Sequence, residues 1–203
     1  MSIIIGSFNR DKIIELCSLV SHKMCYAHSI GIYDVENKGM FGVNRGPNEL
    51  AYNKIYITPT EYCIVHLQST PCGRNIQPAS TFDRDSEHYL WFNGELTSEE
   101  VERFQIEEDT EEKWQTMLLL KHIVRYGAPS DVDGSFSCVY TDGADLYLFR
   151  NELESMFIDD DMTICSIPFR ASRATNSNRM FKMDLKEKLL VGIEIFNTVK
   201  KWV

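Results

Sequence analysis

The chain has 203 residues, 43% of them hydrophobic and 25% charged, with a formal net charge of -9 and a pI of about 5.1. These are ordinary values for one large globular domain and exclude a disordered chain. The acidic balance repels phosphate backbones and disfavours a broad nucleic-acid-binding face. No stretch approaches the roughly 20 apolar residues of a membrane span. The opening MSIIIGSFNR carries too short an apolar run for a secretory signal. Six cysteines (Cys17, Cys25, Cys63, Cys72, Cys138 and Cys165) form no C-x-x-C pair, and the five histidines show no metal-ligand spacing with them. The expectation is a cytoplasmic protein with reduced thiols and no metal or cofactor.

In chain order, SIIIGSF is β-rich and punctuated by Gly6. Residues Asp11 to Val20 show helical spacing, with Asp11 as the cap. SIGIYDV and GMFGV read as strands split by the hairpin signal of Asn37 to Gly39. EYCIVHLQS is a buried strand. HYLWFNGEL is another, ending in an Asn93-Gly94 turn. Thr97 to Glu100 forms a capping box ahead of a helical run to Phe104. Asp109 to Tyr126 is the longest helical stretch. GSFSCVYTDGADLYLFRN reads as two strands joined by Asp142-Gly143, and MFIDDDMTICS as two short strands around an acidic turn. Asp184 to Lys201 mixes a short helix or turn with a terminal strand, EIFNTVKKWV. Arg170, Arg173, Arg179 and Lys182 form a local basic run, read as a solvated loop. Hairpins dominate and two substantial helices accompany them. Two helices cannot supply many parallel crossovers, so mostly antiparallel sheets are implied.

Several motifs in this order resemble the class II glutamine amidotransferase (glutaminase) domain of the N-terminal-nucleophile hydrolases. The closest pattern is the glutaminase half of asparagine synthetase. HLQST stands where that family has His-x-Arg-x-Ser/Thr. NIQP resembles its Gln-Pro step, WFNGEL its Asn-Gly-Glu turn, and EDTE its Ser-Asp-Thr-Glu helix start. DGSFSCVYTD and LFRN resemble its Gly-x-Phe-Ala strand and Arg-Asp step. The resemblance implies an α+β fold, a four-layer α/β/β/α sandwich of two mostly antiparallel sheets. It further implies a single domain over 1–203 with no synthetase domain attached.

The resemblance also implies a site. Ser2 matches the nucleophile position once Met1 is removed, although the family uses cysteine there. A hydroxyl is the poorer nucleophile at its free pKa. Asn93 and Gly94 match the oxyanion donors. Gln68 stands where an arginine would clamp the substrate carboxylate, and Arg74 is a nearby substitute. Glu95 and Asp109 match the acids facing the substrate ammonium. The plain alternatives are an ordinary N-terminal Ser2, a hairpin turn at Asn93-Gly94, and an N-cap at Asp109. At Arg150-Asn151 the family's aspartate has become asparagine. The expected function is a glutaminase-like binding or regulatory module for a small amide or glutamine-like ligand, with impaired hydrolysis and a protein partner. The alternative is an active amidohydrolase using Ser2, supplying ammonia to a synthase in trans.

Overall fold

The computed structural model describes residues 2–20, 26–47, 50, 55–69 and 75–197. The order is β1 (Ile3–Ser7), α1 (Arg10–Val20), β2 (Ala27–Asp34), β3 (Gly39–Pro47), β4 (Glu61–Gln68), β5 (Ala79–Asp83) and β6 (Ser86–Leu96). Then come α2 (Ser98–Glu107), α3 (Gln115–Tyr126), β7 (Gly134–Thr141), β8 (Leu146–Arg150), β9 (Phe157–Ile158), β10 (Ile164–Cys165), β11 (Arg173–Ala174), β12 (Arg179–Asp184) and β13 (Leu189–Ile195). They form two sheets, ordered β11-β9-β10-β1-β4-β2-β3 and β13-β12-β8-β7-β6-β5. Every pairing between strands is antiparallel.

Strand β4 shows why the sheets stack. Its side chains alternate between two apolar layers, so both faces are buried. Cys63, Val65 and Leu67 join Ile13, Leu16 and Cys17 of α1 in one cluster. Tyr62 and Ile64 join Trp91 of β6, Val139 of β7 and Leu148 of β8 between the sheets. On the far face of the second sheet, Phe92, Phe136 and Cys138 pack beneath Phe104 of α2 and Leu118 and Ile123 of α3. The result is four layers, α1, sheet, sheet, then α2 with α3, as the resemblance implied. The described cysteines are all buried in these layers.

Local geometry corrects several expectations. Three helices stand among the described residues rather than two. Asn9, not Asp11, caps α1: its Oδ1 accepts from the Asp11 and Lys12 amides at 2.9 and 3.2 Å. Thr97 does cap α2 through the Glu100 amide, but Glu100 turns to Arg103 instead of back to Thr97. The long helix begins at Gln115, six residues after Asp109, with Trp114 as an N-cap that makes no side-chain bond. Asp109 takes a left-handed φ of 47° just past α2. Asn93-Gly94 is not a hairpin turn. The strand runs on to Leu96, with Asn93 opposite Ser137 and Gly94 opposite Phe136. Past Asp184 the chain makes a tight turn into β13, a strand that starts at Leu189 rather than Glu194. Residues 198–203 of the expected terminal strand lie outside the described residues.

Candidate functional site

The first sheet ends, at the N-terminal end of β1, next to the C-terminal end of β4. Ile3 is registered against Leu67, which places Ser2 and Gln68 at the same edge. On the second sheet, β6 and β7 bring Asn93, Gly94, Glu95 and Ser135 to the same end. These residues line one cavity of about 590 Å³, completed by Gln77, Trp114, Thr116 and Glu154. A wider concavity of about 800 Å³ lies at the opposite end of β1, beside Ser7 and the start of α1. It contains none of the residues expected at the site, so the chemistry is read from the first.

Of the residues expected at the site, Ser2, Gln68, Asn93, Gly94 and Glu95 share this cavity. Asp109 does not. It lines a separate surface concavity with Glu102, Gln105 and Thr110. The chain from 110 to 114 has no regular secondary structure, and Lys113, Trp114, Gln115 and Thr116 reach the cavity instead. Arg74 lies outside the described residues.

Gly94 is required by a close approach. Its φ is 144°, and a Cβ there would stand 1.9 Å from the Ser135 carbonyl oxygen. Only glycine tolerates both conditions. Asn93, in turn, is buried, with its side chain on the face that carries Trp91 between the sheets. Its Nδ2 donates to Ser137 Oγ and to Glu154 Oε2, each at 3.3 Å. That amide nitrogen is therefore engaged twice, once by a carboxylate.

Glu154 was not singled out in the sequence. It sits in the loop after β8, where LFRN leads into ELES. Asn151, itself buried, holds that loop. Its Oδ1 accepts from the Phe136, Leu153 and Glu154 amides at 3.1, 3.2 and 3.3 Å, and its Nδ2 donates to the Gly134 carbonyl at 2.7 Å. Arg150 Nη1 donates to the Glu154 carbonyl at 2.9 Å. The Glu154 carboxyl is half-buried, and that burial raises its pKa. Hydrogen bonds from Ser135 and the Ser155 backbone, the positive charge of the chain's N-terminus and a hydrogen bond from Asn93 oppose the shift.

Gln68 is spent on the neighbouring chain. Its Oε1 accepts from the Gln77 amide at 3.4 Å, and its Nε2 donates to the Asn75 carbonyl at 3.5 Å. Gln77 in turn donates from Nε2 to the Phe92 carbonyl at 2.7 Å. His66, two residues before Gln68 on the same face of β4, is fully buried. Burial brings its pKa down to about 4, against a hydrogen bond to the Phe92 backbone. It is a neutral core histidine. Among the described residues no group of His, Cys, Asp and Glu is arranged to hold a metal ion, and no helix is long and apolar enough to cross a membrane.

No protein-family model matches the chain, and no curated protein sequence matches it. Solved structures do. The glutamine phosphoribosylpyrophosphate amidotransferase from B. subtilis, complexed with ADP and GMP, superposes with a TM-score of 0.69 at 10% identity, over 96% of this chain and 49% of that one. A structure described as the allosteric regulatory enzyme of purine biosynthesis gives 0.66 at 11% identity, with the same coverage. The likeness establishes the fold alone, a four-layer sandwich like that of these amidotransferase structures. The chain spans about half the length of these structures.

Proposed function

We propose that this chain is a glutamine amidotransferase-like binding or regulatory domain that hydrolyses glutamine poorly or not at all. The observation that carries the reading is the hydrogen bond from Asn93 Nδ2 to Glu154 Oε2. Attack on an amide puts negative charge on the carbonyl oxygen, and an oxyanion donor must be free to meet it. Here a carboxylate already takes that donor, and its own charge opposes a second anion beside it. Losing one oxyanion donor costs about 3 kcal/mol, on the order of a hundredfold in rate. Two substitutions add to this. Ser2 is a weaker nucleophile than the family's cysteine. Gln68 carries no charge to clamp a substrate carboxylate, and its amide is tied to the Asn75 to Gln77 segment.

The test is ammonia release from L-glutamine by the purified chain, with intact mass establishing whether Met1 has been removed. The expected outcome is no release above the uncatalysed background. Release at ordinary enzymatic rates that disappears in Ser2→Ala overturns the reading. It would favour instead an amidohydrolase with Ser2 as nucleophile, feeding ammonia to a separate synthase. That second reading draws its support from the meeting of Ser2, Asn93 and Gly94 at one cavity.

A further inference from the structure

The start of the chain and the Glu154 loop are tied to one point. The Ile4 amide donates to Ser166 Oγ at 3.1 Å, and the Ser166 amide donates to the Ile4 carbonyl at 3.0 Å. The Ser166 carbonyl also accepts from Ser155 Oγ at 2.9 Å. Ser2 lies two residues before this clasp and Glu154 one residue before Ser155, and both line the same cavity. On its other side β1 is held by β4, with Ile3 registered against Leu67. Arg150 and Asn151 fix the main chain of residue 154. Contacts independent of either charge thus bring the first residues and the Glu154 carboxyl to one place.

The positive charge at the N-terminus favours the ionised form of Glu154, against the burial that raises its pKa. Linkage makes such an effect reciprocal: a carboxylate favoured by an ammonium group holds the proton on that group to the same extent. The charged side chains among the described lining residues are Glu95 on β6, Lys113 ahead of α3, and Glu154. Glu95 and Lys113 are exposed, where solvent screens them. Glu154 is half-buried, and its charge acts through less water.

We infer that Glu154 is the seat of the chain's own N-terminus: its carboxylate holds the α-ammonium group as an ion pair, and so holds the proton that the amine would have to lose to act as a base. The inference rests on the poor-hydrolysis reading above and adds a cause apart from the oxyanion donor. Attack by Ser2 requires its hydroxyl proton to pass to an unprotonated amine. Removal of Met1 puts the ammonium on Ser2 itself, whose residue already lines the cavity.

Trace acetylation of the N-terminus with acetic anhydride, followed by mass spectrometry of the N-terminal peptide between about pH 6 and 10, gives the titration midpoint of the amine. Intact mass identifies the residue that carries it. The midpoint reports protonation, whereas the absolute labelling rate also reports access. In the folded chain the midpoint is expected about one pH unit above that of the same amine in urea, the effect of one nearby carboxylate. Glu154→Gln brings it to within about 0.3 of the urea value. A chain lengthened by a few N-terminal residues carries its amine away and loses the elevation too, which keeps the test decisive should Glu154→Gln fold poorly. A midpoint equal to the urea value, or an elevation that survives either Glu154→Gln or the extension, overturns the inference. Ammonia release from L-glutamine is measured on the same samples. Release by the unaltered chain sinks the poor-hydrolysis reading, while the ion pair stands or falls on the midpoint.

Discussion

Glu154 Oε2 accepts a hydrogen bond from Asn93 Nδ2 over 3.3 Å, joining a loop after β8 to the middle of β6 across 61 positions of sequence. The loop side of this contact depends on Asn151, whose amide uses both ends. An aspartate at 151 keeps the acceptor for the Phe136, Leu153 and Glu154 amides but loses the donor to the Gly134 carbonyl. Asn151→Asp also buries a charge in a residue 1% exposed. The expected cost is about 1–3 kcal/mol, read from chemical denaturation. Faster amide exchange confined to 152–155 is expected with it. A variant as stable as the parent at neutral pH would show that the Gly134 bond contributes nothing.

Gly94→Ala tests the close approach of β6 to β7. The added methyl meets the Ser135 carbonyl, and the backbone is held at a φ that other residues rarely adopt. The strand pair must separate locally, at a cost of more than about 2 kcal/mol. Thermal or urea unfolding measures it. A variant as stable as the parent would show that β6 and β7 accommodate the methyl without separating.

His66 governs an acid transition. Its pKa falls from the ordinary 6.5 to about 4 because burial disfavours the imidazolium. Between those values the unfolded chain holds the proton and the folded chain does not, so stability is complete above pH 6.5 and falls as pH drops toward 4. The full effect is about 3 kcal/mol. His122, also lowered chiefly by burial, adds to the same slope. His66→Gln is expected to flatten the decline between pH 6.5 and 4 without abolishing it. A variant with an unchanged slope over that range would show that His66 titrates normally.

Much of the fold could be read from the sequence because it rests on local pattern. The buried run of β4 and the turn at Asp142-Gly143 carry their own signals. The four-layer arrangement followed from motif order, not from any one motif. Errors arose where a local signal was overridden at a distance. Asn93-Gly94 has the composition of a hairpin turn, yet its glycine serves the close approach of Ser135 and the strand continues. Asp109 has the composition of a helix cap, yet it follows α2 in a left-handed conformation while α3 starts at Gln115. At the site, motif order alone points to Ser2, Gln68, Asn93, Gly94 and Glu95, which share one cavity. Glu154 was not named, since ELES carries no periodicity and its contact is made only in three dimensions. The asparagine at 151 was visible as a departure from the family's aspartate.

Arg150 and Asn151 grip the loop through its main chain, by the carbonyl and amide of residue 154. The side chain at 154 bears none of that attachment. Position 154 is thus a socket, in which the group facing Asn93 can be exchanged while the loop keeps its path. One scaffold can then present an acid, an amide or a small apolar group to the same donor.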